Sequence, residues 1–151
     1  MNAELEQSIA EVLDRQIAIA EDLGALLGVE RAAITGPSAD ALARSAADKV
    51  ALLGTLERTD AERRRVFEAA GIEVGPATDA ASLPDGIARR WRVLRQLAAQ
   101  CRRANDLNGY LIRSRQHQVA QLLDALRGGS PGTYGPNGRA ATTATRPLAQ
   151  V

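Results

Sequence analysis

Few side chains in this chain are of a type that does chemistry. His117 is the single histidine and Cys101 the single cysteine. A zinc site needs several Cys, His or carboxylate ligands gathered at short spacings, and neither residue has such neighbours in the sequence. Cys101 sits on an apolar stripe between Ala98 and Asn105, where a small buried hydrophobe is the expected role and a nucleophile is not. His117 lies in R-S-R-Q-H-Q-V, off that stripe, and is expected to be exposed. The carboxylates are scattered over amphipathic helices, with no pair set for acid/base work. Neither G-x-x-x-x-G-K-[ST] nor G-x-G-x-x-G occurs, so no phosphate loop or dinucleotide fingerprint is present. We therefore expect no catalytic residue, no metal and no cofactor.

The arginines are the next candidates. Residues 85–127 carry nine arginines against three aspartates, and residues 1–34 carry seven acids against two arginines, which suggests that these two segments lie side by side. Arg89, Arg90, Arg92, Arg95, Arg102, Arg103, Arg113 and Arg115 encircle their helix instead of forming one stripe. Only Trp91 and Tyr110 interleave with them, which is poor ground for nucleic-acid binding. With a net charge of +1, the chain as a whole is drawn to neither nucleic acid nor a membrane surface. No apolar run approaches the ~20 residues that span a bilayer. The start, M-N-A-E-L-E-Q, does not read as a secretory signal. A soluble cytoplasmic protein is expected.

These residues must be positioned by helices. Aromatics make up only 3% of the chain and alanine is abundant, which favours thin, closely packed helices. No run alternates with period two, so no strand is expected. The fold class is all-α: an elongated antiparallel three-helix bundle with a long C-terminal helix and a flexible tail. In the first helix, about 3–34, Leu5, Ile9, Val12, Gln16, Ile19, Leu23 and Leu26 form a heptad seam, widened by Leu13, Ile17, Ala20 and Leu27. Thr35-Gly36-Pro37 ends it. The second helix, about 38–70, starts at Ser38, and its seam is read as Leu42, Ala46, Lys49/Val50, Leu53, Leu56, Asp60, Arg64 and Phe67, with Gly71 as C-terminal cap. Residues 71–86 form a loop in which Ile72, Val74 and Leu83 can tuck against the bundle end. The third helix, about 85–127, has its seam at Ile87, Trp91, Leu94, Ala98, Cys101, Asn105, Asn108, Ile112, Arg115, Val119, Leu122 and Leu126. Phe67 and Trp91 sit on apolar stripes and are expected to be core residues near the bundle end where the second and third helices meet. Residues 1–127 form one helical domain. Residues 128–151 are rich in Gly, Pro and Thr and too poor in apolar groups to offset their ordering entropy.

Within the third helix the stretch N-D-L-N-G-Y-L-I, 105–112, stands out, because Asn105, Asn108 and Gly109 together cost roughly 2 kcal/mol of helix propensity against alanine. Heptad counting puts both asparagines on the seam, whereas a slower drift puts Leu107 and Leu111 there. A buried asparagine can fix register, and a glycine lets a second helix approach closely. Beyond this point Leu111, Ile112, Val119, Leu122, Leu123 and Leu126 make an apolar face that outlasts the first two helices by length. A partner helix, the start of the first helix or a second copy of the chain can cover it. These residues alone leave open a client-free coiled-coil scaffold and, less well supported, an arginine-rich nucleic-acid binder.

The block N-x-x-N-G-x-L-I, here Asn105, Asn108, Gly109, Leu111 and Ile112, resembles the signature of the FlgN family of flagellar export chaperones. E-R-x-A-I in the first helix (Glu30, Arg31, Ala33, Ile34), K-V-A-L-L in the second (Lys49 to Leu53) and Y-G-P-N-G in the tail (Tyr134 to Gly138) agree with it. The resemblance implies a cytoplasmic type III export chaperone that holds the hook-associated proteins FlgK and FlgL before export. It implies client binding through the C-terminal portion: Asn105, Asn108, Gly109, Leu111, Ile112, Val119, Leu122, Leu123 and Leu126. It also implies delivery to the export gate by docking on the cytoplasmic domain of FlhA, with Tyr134 taking part, and no need for ATP or metal.

Overall fold

A computed structural model of the chain describes residues 2–73 and 78–128. Three long helices carry the fold: α1 (Ala3–Thr35), α2 (Ala39–Ala69) and α3 (Asp85–Leu126), with a single 3-10 turn at Ala80–Ser82. The described residues contain no strand, so the all-α expectation holds. The chain divides into two units, Met1–Ser114 and Arg115–Val151.

Local signals fix the helix ends. Asn2 caps α1, its side-chain oxygen accepting from the Leu5 N–H at 2.9 Å. Ser38 does the same for α2 with the Ala41 N–H at 3.1 Å. Each satisfies one of the donors that a helix start leaves open. At the end of α2 the chain turns through Gly71, whose φ of 66° only glycine adopts without strain. The Ile72 N–H reaches back to Phe67 O and the Gly71 N–H to Glu68 O, both at 2.9 Å. These two bonds make a Schellman cap, and Ile72 packs onto the cluster around Phe67 as that cap requires. Asp79 caps the 3-10 turn through the Ala81 N–H at 2.9 Å. Ile72 and Leu83 do seal the bundle end, while Val74 lies outside the described residues.

The first unit has two apolar clusters. One, at the end where α2 hands over to α3, gathers Ile9, Leu13, Phe67, Leu83, Ile87 and Trp91. The Phe67 and Trp91 rings meet there at 5.7 Å between centroids, tilted by 51°. Each fully buried side chain of this kind stabilises the fold by roughly 1.5–3 kcal/mol. The second cluster is smaller: Leu23, Leu27 and Cys101, with Leu52, Leu56 and Ala104 against it. The Cys101 thiol donates to Ala20 O at 3.3 Å, and burial pushes its pKa up, as suits a packing residue.

The buried register differs in part from the apolar one. In α1 the deepest line is Ile9, Leu13, Gln16, Ala20, Leu23, Leu27, Glu30 and Ile34, all buried at steps of four and three. Ile19 and Leu26 are only half-buried. In α2 the buried residues are Ser45, Thr59, Arg63 and Phe67, while Ala46, Val50, Leu53 and Arg64 are exposed. The inner face of α2 is thus largely polar. In α3, Ile87, Trp91, Cys101 and Asn108 are buried as the heptad reading places them, whereas Ala98, Asn105 and Leu107 are exposed.

Candidate functional site

The polar inner residues meet at one place. Glu30 on α1 is 2% exposed and Asn108 on α3 is 1% exposed. The Lys49 ammonium of α2 donates to Glu30 Oε1 at 2.6 Å. The Asn108 amide nitrogen donates to Glu30 Oε2 and to Leu27 O, each at 2.8 Å. Asn108 Oδ1 in turn accepts from Arg31 Nε at 3.1 Å. Both amide hydrogens and the amide oxygen of Asn108 are therefore used, and all three helices are tied at one point. Burial works to raise the Glu30 pKa. The hydrogen bonds from Lys49 and Asn108 and the Lys49 charge outweigh it and hold the carboxyl below the ordinary range. The residues of this node come from the three separate motifs E-R-x-A-I, K-V-A-L-L and N-x-x-N-G-x-L-I.

The node assigns different places to the two asparagines. Asn108 fixes the register of α3 against α1, as a buried asparagine does. Asn105 is exposed beside Leu27, Lys49 and Cys101, at the edge of a 260 Å³ cavity. Gly109 does not mark a close helix approach. A Cβ placed there meets only the Arg113 guanidinium, at 3.4 Å, and no neighbouring helix. Leu111 and Ile112 are half-buried.

From Arg115 onward every described residue is exposed. Val119, Leu122, Leu123 and Leu126 are 50, 61, 45 and 75% exposed. Their spacing of three and four puts them on one face of α3. His117 is exposed, as its position off the stripe predicts. Tyr134 lies outside the described residues. The structure thus separates the candidate residues into a buried tie, Asn108, a half-buried stretch around Leu111 and Ile112, and an open apolar face at 119–126.

Charge pairing is more even than segment totals suggest. Asp14 on α1 pairs with Arg90 on α3 at 2.8 Å. Other cross-helix ion pairs of α1 run to α2: Arg15–Glu62 at 2.5 Å and Glu30–Lys49 at 2.6 Å. Among the described residues no group of His, Cys, Asp and Glu is arranged to hold a metal ion. No helix among them is long and apolar enough to cross a membrane.

Sequence reasoning missed Glu30 as an interior residue and placed Lys49 on the seam only as an alternative to Val50, although one signal for Glu30 was available. Glu30 falls in step with Ile9, Leu13, Ala20, Leu23 and Leu27, so a carboxylate there must be buried and paired.

A helical bundle with a tied interior and an open apolar helix face is a module for protein contact. The model of the family described as FlgN protein matches residues 1–142, and the chain belongs to that family. Its members are chaperones of flagellar export, and that general role extends to this chain. Comparison with curated proteins and with solved structures gave no match.

Proposed function

We propose that the protein is a cytoplasmic flagellar export chaperone that binds the hook-associated proteins FlgK and FlgL, prevents their premature association and delivers them to the export gate. The observation that carries this reading is the open apolar face of Val119, Leu122, Leu123 and Leu126 on a FlgN-family chain. Segments that become coiled coil only on assembly expose heptad seams beforehand, and a matching helix face masks them. Asn105, Gly109, Leu111 and Ile112 of the first unit are assigned to client binding by the family resemblance; there Leu111 and Ile112 are half-buried and Asn105 is exposed. Asn108, 1% exposed, serves by tying together the helices of the first unit.

Export-gate docking is assigned to Tyr134, within the family match and in the tail motif Y-G-P-N-G. Its partner is the cytoplasmic domain of FlhA. Calorimetric titration of the full chain with purified FlgK and FlgL tests the reading. Saturable binding of at least one is expected, and no heat with either contradicts it. Tyr134→Ala is expected to leave that binding intact while weakening pull-down of the FlhA cytoplasmic domain. Undiminished pull-down removes Tyr134 from the docking role.

A further inference from the structure

Among the described residues, the buried side-chain polar atoms without a hydrogen-bond partner are Gln16 Oε1, Arg63 Nε, Arg63 Nη1 and Trp91 Nε1. All of them belong to residues lining one groove. These atoms are closed to solvent, and the Arg63 guanidinium lies instead against two aromatic rings, so they stiffen the groove's wall and leave its exposed charges to meet a ligand. The groove runs between α2 and α3 as cavities of about 1220, 410 and 260 Å³ that share lining residues, the two smaller ones floored by α1. Along α3 it extends from Trp91 to Asn105, roughly 21 Å at helical rise, which matches a helix of about 14 residues. Leu53, Leu56, Leu94 and Ala98 make its middle apolar.

Three of the four atoms are donors, and they are held rigidly. Arg63 and Trp91 are each more than nine-tenths buried. The Arg63 guanidinium lies 5.3 Å from the Phe67 ring centroid and 5.1 Å from that of Trp91, while its Nη2 pairs with Asp60 at 2.5 Å. Asp60 is shared with Arg64 at 2.8 Å, so it does not fully neutralise the arginine pair. On the α3 wall Arg95 and Arg102 add positive charge, and no acid occurs between Asp85 and Asp106. The acids of the groove are Asp60, held by Arg63 and Arg64, and Glu57, Glu68 and Glu73, and none of them is on α3. The groove therefore favours a ligand that is apolar underneath and negative along the edge facing α3.

We infer that this groove is a docking site for an amphipathic helix of a partner protein with an acidic edge, whose carboxylates meet the exposed Arg95 and Arg102 on the α3 wall. It lies within residues 1–114 and does not rest on the role given to the 119–126 face. Trp91 is the only tryptophan and so reports occupancy by its emission. The test titrates the full chain with two synthetic 14-residue helical peptides of identical leucine face. One carries glutamates along its flank, the other glutamines, and inorganic phosphate is the third probe. The glutamate peptide is expected to shift Trp91 emission saturably and to bind about tenfold tighter than the glutamine peptide, the contribution of a charge-assisted hydrogen bond. Arg95→Gln with Arg102→Gln, both exposed positions, should lose that preference while melting as the parent does. A chain carrying Leu122→Asp and Leu126→Asp should keep it, which separates this site from the client face. Equal binding of the two peptides, or no emission change with either, overturns the inference. Phosphate alone reproducing the shift and blocking the peptide overturns it in favour of a small-anion site.

Discussion

Asn108 holds its three hydrogen bonds where no water can replace them. Removing a partner from a buried group costs more than the bond itself, because the groups left behind stay desolvated. Asn108→Ala strands Glu30 Oε2 and Leu27 O, and we expect it to lower stability by about 2 kcal/mol in urea denaturation. Glu30 adds a pH dependence whose sign follows from its lowered pKa. Asp60 is lowered in the same way: burial raises it, but the hydrogen bond and charge of Arg63, with Arg64 behind them, win. In acid the unfolded chain takes up protons that these folded carboxylates refuse, so acid favours unfolding. The stability they contribute is complete above the ordinary carboxylate range and is lost as pH falls from that range through the lowered folded values. Glu30→Gln should be less stable at neutral pH, with Lys49 left unpaired, yet lose less on acidification. Urea midpoints measured from neutral pH downward check this, and parallel curves for parent and variant contradict it.

The elements carry their own test at Gly109. Since an added Cβ meets only the flexible end of Arg113, Gly109→Ala should stabilise α3 by up to about 1 kcal/mol. A raised melting temperature supports this, and a lowered one means that a neighbour needs the space. Helix boundaries were legible because proline, glycine and cap residues mark them by strong local physics. Thr35-Gly36-Pro37, Ser38 and Gly71 place the ends of α1 and α2 within a residue or so. The bundle-end core was also legible, since Phe67, Ile87 and Trp91 have no better place than the interior. The inner face of α2 was not. Periodicity follows apolar residues, and this face carries Ser45, Lys49, Thr59 and Arg63, whose burial depends on partners distant in sequence. The apolar reading falls about one position off at Ala46 and Leu53 and leaves Lys49 and Val50 as alternatives. In α3, Asn105 and Asn108 look alike on a heptad, yet only Asn108 meets Glu30 and Leu27, a pairing that local spacing does not contain.

At the scale of the molecule, one physical distinction organises the candidate site. Residues of the shared motifs that lie in the first unit mainly build its interior, with Glu30, Lys49 and Asn108 as the example. The surface offered outward is the apolar face of the second unit, together with the arginine-bearing groove of the first. A variant at the node should therefore change stability first, and a variant on the face should change binding alone. The central claim is that Val119, Leu122, Leu123 and Leu126 hold the export client. The measurement that tests it most directly is calorimetric titration of hook-associated protein into the chain carrying Leu122→Asp and Leu126→Asp, with helix content followed by circular dichroism. Unchanged helicity is expected, with affinity weakened at least about 100-fold by the loss of two leucines from the interface. Unchanged helicity with parental affinity would contradict it.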